Sequence, residues 1–417
     1  LPVLQRCEWT GNGLASYAIR QGDDLHAVSH DVKLRYDAAR RAQNGKSKDL
    51  ANLLRAQTGL KDRLIPADFQ RLAPSGYLAV IHLDGNNVGG VLGRDASDAE
   101  RSAFFYRNRV LLRKAAKVAM DCIVPQGSGS VAGQAEKGPS EGQKTSEVAP
   151  FVLLMLGGDD LLAVCRAELA LPFVRDLCKK LDDLQQIGPS TEEPATQRFR
   201  LTVGAGVVIA KPSLPFHRLH AVAEMLASSA KRRIRGKPPK DVVSVVDWAV
   251  YTNSWAEDPA EIRRRDWVCG TSANVRVLSS RPLPVLGDGL QTLEGLLKGA
   301  AALGTAPRSQ LRYLLDQLHR GKVLAELAFE EMAEEARAPL KKAGVNGVWA
   351  QLGSESKGES NNVFTTPVLD LIEIAEIEKL GRADSEDAEA DVALAEDTEV
   401  EDLEGNTRED DHVGQAE

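Results

Sequence analysis

Cysteine is scarce in this chain of 417 residues: five residues, Cys7, Cys122, Cys165, Cys178 and Cys269, stand far apart with no close pair. That spacing excludes a disulfide framework and the paired-cysteine pattern of a structural zinc site, so buried reduced thiols are expected. Aromatic residues make up only 5% of the chain. No extended basic, aromatic-studded stretch is present, which counts against a strand-binding channel of the kind an ordinary nucleic-acid polymerase uses. Long apolar runs are missing as well. Residues 151–156 and 203–210 are among the longest, far short of the roughly 20 needed to cross a bilayer, so no membrane span is expected. The start Leu1-Pro2-Val3 lacks a basic region followed by an apolar stretch; no secretory signal is read there, and a cytoplasmic location is the expectation.

What the chain does have is 43% hydrophobic content, enough at this length for more than one core and for two or three domains. Its formal charge of −8 is unevenly spread. Residues 381–417 hold 15 acids and two arginines, which leaves 60 − 15 = 45 acids against 52 − 2 = 50 bases in the first 380, a net +5. A mildly basic body tolerates a phosphate-bearing ligand without demanding one. Two segments have the composition of disorder: residues 125–150, rich in Gly, Ser, Gln and Glu without an aromatic, and the acidic tail over 381–417. The remaining organisation reads as an N-terminal segment (1–75), a central domain (76–250) and a mainly helical C-terminal domain (251–380).

The central domain has a regular pattern. An apolar run of strand length, Tyr77 to Leu83, ends at Asp84. Ser97 and Glu100 have capping-box spacing and open a helical stretch through Ile123. Apolar runs from Phe151 to Leu156 and from Leu161 to Val164 flank Gly157-Gly158-Asp159-Asp160, which reads as a hairpin with the aspartates at its tip. A helix (about 171–187), a strand (199–210), a helix (216–235) and a strand (242–250) follow. The order βαββαβ within this series is that of an α+β, ferredoxin-like palm.

Three carboxylates are thereby expected at one sheet edge. Asp84 ends the first strand, and Asp159 and Asp160 sit on the adjacent hairpin. Magnesium prefers hard oxygen ligands and bridges one or two carboxylates to substrate phosphates; manganese is the alternative ion. The small residues after Asp84 (Gly85, Asn86, Asn87, Val88, Gly89) offer backbone amides to an anion, while Gly157 and Gly158 permit a tight turn and close approach of a nucleotide. Solvated turn residues would give the same Gly-Gly-Asp-Asp string, but not its placement between two apolar strands behind a strand ending in Asp. Lys231 and Arg235, four apart, are expected to share a helix face and grip terminal phosphates; the competing reading is bases that complement a helix C-terminus.

The segments Asp84-Gly85-Asn86-Asn87-Val88-Gly89 and Gly157-Gly158-Asp159-Asp160, with the unit from Val203 to Lys231, resemble the second palm domain of the large subunit of type III CRISPR effectors, a family related to GGDEF diguanylate cyclases and class III nucleotide cyclases. The likeness covers roughly residues 76–250, and Cys7-Glu8-Trp9-Thr10-Gly11 looks like a worn version of the cysteine-bearing segment ahead of such palms. The resemblance implies magnesium-dependent conversion of ATP to a cyclic oligoadenylate as an antiviral signal. It also implies Asp84 and Asp160 as metal ligands with Asp159 assisting, the Gly85 carbonyl as a further ligand, and a nucleotide site of Gly85, Asn86, Gly89, Gly157, Gly158, Lys231 and Arg235. Partners would be CRISPR RNA effector subunits or a second copy, because one palm presents a single set of carboxylates. This sequence departs from the family in three ways: Asn86 replaces a frequent second aspartate, the zinc-binding cysteine pairs are absent, and no HD nuclease is evident, His30-Asp31 being an isolated pair. The alternative function is a catalytically silent palm that binds nucleotide or scaffolds a guide-RNA complex.

Overall fold

The computed structural model describes residues 5–11, 13–21, 24–43, 58, 60, 63, 65–66, 68–73, 76–91, 96–123, 148–185, 199–238, 241–252, 257–271, 274–352 and 362–380. The segment expected to be disordered over 125–150 lies outside the described residues as far as residue 147, and so does the acidic tail over 381–417. The chain divides into two units, residues 1–61 and residues 62–417.

In the first unit, strands β1 (Tyr17–Gln21) and β2 (Asp24–Val28) form an antiparallel hairpin ahead of helix α1 (His30–Gln43). Cys7, Ile19, Val28 and Val32 make its small core, with Tyr36 packed against them. His30 and Asp31 open α1, and Asp31 lies in the first turn, where a carboxylate complements unpaired backbone amides.

The second unit begins with the short helix α2 (Phe69–Leu72), followed by β3 (Leu78–Gly85) and a single helical turn, α3 (Val88–Val91). Helix α4 (Asp98–Ile123) starts in the expected capping box: the Ser97 amide donates to Glu100 Oε2 at 2.8 Å, and the Glu100 amide donates back to Ser97 Oγ at 3.3 Å. Next come β4 (Phe151–Gly157), β5 (Asp160–Arg166), α5 (Ala167–Gln185), β6 (Val203–Ala210), α6 (Phe216–Ile234) and β7 (Val245–Tyr251). Strands β8 (Val268–Thr271), β9 (Asn274–Val277) and β10 (Leu283–Pro284) follow.

Six strands form one mixed sheet in the order β10-β7-β6-β3-β5-β4. Its central part, β6-β3-β5-β4, is antiparallel throughout and carries the fourth, first, third and second strands of the βαββαβ series, the ferredoxin-like arrangement. β7 extends it in parallel with β6, as the crossover through α6 requires. All eight residues of β6 are buried, which explains why its sequence is a continuous apolar run and not an alternation.

The two faces of the sheet are covered differently. Leu78 and Val80 of β3, Leu162 and Val164 of β5 and Val208 of β6 pack with Leu219, Val222, Ala223 and Leu226 of α6; burying a Leu or Val side chain contributes about 1.5–3 kcal/mol. The opposite face meets α5, where Phe151 and Phe173 rings lie 4.6 Å apart, and α4 runs along α5.

The C-terminal part has helices at 293–300, 308–320, 322–331, 334–342 and 368–380, together with a four-stranded sheet that includes β8 and β9. It clusters with the palm in the same unit. Fully buried Arg281 pairs with fully buried Asp370 at 2.9 Å and with Glu373 at 2.7 Å, and its guanidinium lies over the ring of Trp248 from β7 at 4.3 Å.

Candidate functional site

The β3–β5 ladder runs from Leu78 opposite Arg166 to Leu83 opposite Leu161. One further antiparallel step sets Asp84 beside Asp160, the first residue of β5. On the hairpin, Gly157 pairs with Asp160 and leaves a two-residue turn of Gly158 and Asp159. Gly158 has φ +63°, the left-handed conformation that a type II′ turn requires at its first central residue. Gly157 lies within β4, and a Cβ there would meet open space, so only Gly158 is required by the turn itself.

This arrangement gathers three carboxylates. One oxygen from each of Asp84, Asp159 and Asp160 lies within 4.8 Å of the others. Gly85 makes their approach feasible: a Cβ at that position would stand 2.5 Å from Asp159 Oδ2 and 2.7 Å from Val88 Cγ2. The crowding has an electrostatic consequence. Burial, then the charges of Asp84 and Asp159, push Asp160 up to about 6, against the opposing charge of Lys231. Asp159 is raised in the same direction, chiefly by burial and then by Asp84. An all-oxygen set of mutually repelling carboxylates suits a hard divalent cation, so the residues present fit magnesium.

Lys231 forms an ion pair with Asp84 from the neighbouring helix α6, both side chains being partly exposed. A glycine again provides the room. Gly204 lies opposite Asp84 on β6, and a Cβ there would stand 2.6 Å from Lys231 Cγ. Arg235 stands at the end of the same helix. α6 ends at Ile234, and Arg235 is an exposed C-cap with extended backbone (φ −60°, ψ 130°). Gly236 follows in the left-handed conformation (φ +79°), the helix-terminating geometry, so α6 stops one residue short of the expected boundary at Arg235.

Asn86 turns inward and is held through its backbone and side-chain amide nitrogens. It is 1% exposed, its backbone amide donates to the Thr202 carbonyl at 2.8 Å, and its Nδ2 donates to Thr202 Oγ1 at 3.0 Å and to the Val243 carbonyl at 3.5 Å. The side chain ties the loop after β3 to the segments entering β6 and β7. A carboxylate there could not donate to Val243 and would bury a charge against a carbonyl, a physical reason for amide in place of acid. Asn87 adopts φ +57°, and the exposed Gly89 lies in the one-turn helix α3 with open space around it. Thr202, Gly204 and the Asn86 latch escaped the sequence reading. The signal available was the pair Gly204 and Gly206 in an otherwise bulky buried strand, which marks close approach of another element.

Residues 77–238 match the family model described as Cas10/Cmr2, second palm domain. Solved structures similar to the chain include a Csm1–Csm4 cassette in complex with pppApApA (14% identity, TM-score 0.36, covering 72% of this chain and 37% of that one). Csm1 of T. onnurineus is another (15% identity, TM-score 0.37, covering 75% of this chain and 39% of that one). The chain thus spans well under half the length of those structures. No curated protein matches it. The match to the Cas10/Cmr2 palm covers every carboxylate of the cluster, Lys231 and Arg235, and stops before β7. Among the described residues, no helix is long and apolar enough to cross a membrane.

Proposed function

We propose that this palm binds ATP with magnesium and joins nucleotides into a cyclic oligoadenylate, as part of a CRISPR-type antiviral response. The observation that carries the reading is the meeting of Asp84, Asp159 and Asp160 within 4.8 Å at one edge of a ferredoxin-like sheet. Asp84, Asp159 and Asp160, with the Gly85 carbonyl, would hold the ion, which when bound neutralises phosphate charge and acidifies a ribose hydroxyl.

The chain's own residues position and bind. Gly85 and Gly158 let the backbone approach the triphosphate closely. Lys231, released from Asp84 as the site fills, supplies a cation to the β- and γ-phosphates, with Arg235 reaching the same phosphates from the chain end of α6. A ribose hydroxyl of one nucleotide attacks the α-phosphorus of the next; the new O–P bond forms as the bond to the β-phosphate oxygen breaks, pyrophosphate leaves, and the hydroxyl proton passes to solvent. The second nucleotide surface comes from another subunit or a second copy.

Incubating the protein with labelled ATP and magnesium, with and without RNA, and separating the products by chromatography tests this. Cyclic oligoadenylate in the intact protein, and none in Asp160→Ala, is the expected outcome. The ion pair between Lys231 and Asp84 favours a second reading, a palm silenced by its own lysine that serves as a scaffold. Under that reading, no product forms in any condition while ATP still binds.

A further inference from the structure

His82 lies two residues before Asp84 on β3, and alternate residues of a strand share a face about 7 Å apart. It faces the helix side of the sheet, paired with Gly206 of β6 and Leu162 of β5. A Cβ on Gly206 would land on the carbonyl oxygen of Ala223, so α6 rests directly on the strand at this level. That contact brings His220 and Glu224, one turn apart on α6, across to β3. The His82 and His220 rings are 5.5 Å apart, and His220 Nε2 is 3.7 Å from Glu224 Oε1. One donor atom from each of His82, His220 and Glu224 falls within 4.8 Å of the other two. Nδ1 of His82 is buried without a hydrogen-bond partner.

A His and Glu at i,i+4 on a helix are by themselves an ordinary surface pair. They do not explain a third donor supplied by a neighbouring strand, nor a buried imidazole nitrogen that the protein leaves unpaired. Two imidazoles and a carboxylate are the donor set of a borderline transition metal, whereas the cluster of Asp84, Asp159 and Asp160 is a hard, all-oxygen set. We propose that His82, His220 and Glu224 form a zinc site, distinct from the carboxylate cluster, with its remaining coordination position open to water. Zinc here joins the strand that carries Asp84 to the helix that carries Lys231, fixing the separation of the two groups. The site stands whether or not the palm makes cyclic nucleotides.

The test uses the full chain, stripped of metal and titrated with Zn²⁺ in excess Mg²⁺, with bound zinc counted by elemental analysis after dialysis. One zinc ion per chain is expected, together with a zinc-dependent rise in melting temperature. His220→Ala, on a partly exposed helix face, should abolish that rise and cost more affinity than the roughly 10–100-fold typical of losing an outer-shell partner. His82→Gln should do the same, and Co²⁺ should give a visible absorption band in the intact protein that His220→Ala lacks. Asp160→Asn and Cys122→Ser should both retain the zinc. Zinc retained in His220→Ala, zinc lost in Asp160→Asn, or no zinc bound by the intact protein would each overturn the assignment.

Discussion

Gly85 and Asp160 carry the most consequence residue by residue. The Asp159 carboxylate occupies the space a Cβ at position 85 would need. Gly85→Ala must therefore displace Asp159 while leaving the sheet below intact. Misplacing a reacting group by about 1 Å costs on the order of 100-fold in rate, and a loss of that size in magnesium-dependent turnover, with unchanged circular dichroism, is expected. Asp160 gives a pH signature. Its pKa rises from the ordinary 3.8 to about 6 in the folded chain, through burial and then the neighbouring carboxylates. Between those values the folded state binds more protons than the unfolded state, so this group's contribution to stability is full below pH 3.8 and is lost as pH rises through about 6. Urea denaturation of the metal-free protein should show that loss. Asp160→Asn should remove it and raise metal-free stability at neutral pH, and added magnesium should stabilise the intact protein more at pH 8 than at pH 5.

At the level of elements, the site depends on how closely α6 lies on β6. Two glycines decide this. Gly204 admits the Lys231 side chain opposite Asp84, and Gly206 admits the helix backbone at Ala223. A methyl group at 206 cannot be absorbed by a side-chain rotation, because its obstacle is main chain. Gly206→Ala is expected to lift α6 and destabilise the protein by about 1–3 kcal/mol, the usual range for overpacking, measured by the urea midpoint. It should also weaken the Lys231–Asp84 pair, whereas Gly157→Ala, which meets open space, should change stability little.

Across the whole molecule, what was legible in the sequence followed from pattern and what was not followed from tertiary contact. Strand-length apolar runs, the Ser97–Glu100 capping box and the Gly-Gly-Asp-Asp turn marked the βαββαβ order because periodicity and turn chemistry are local properties. The approach of Asp84 to Asp160 could be anticipated from that order, since a ferredoxin-like sheet sets the first strand beside the hairpin. The end of α6 at Ile234, one residue short of the expected boundary, follows from Gly236, whose left-handed conformation terminates the helix. The inward turn of Asn86 depends on Thr202 and Val243, more than 100 residues away, and no local pattern announces it. The packing of residues 251–380 with the palm likewise rests on long-range pairs such as Trp248 with Glu373. Asp84, Asp159 and Asp160 are expected to bind a divalent ion together with ATP. Calorimetric titration of ATP into the metal-free chain, with and without magnesium, tests this most directly. Binding that requires magnesium in the intact protein and disappears in Asp84→Asn is predicted; equal binding without magnesium, or binding unaffected by Asp84→Asn, would contradict it.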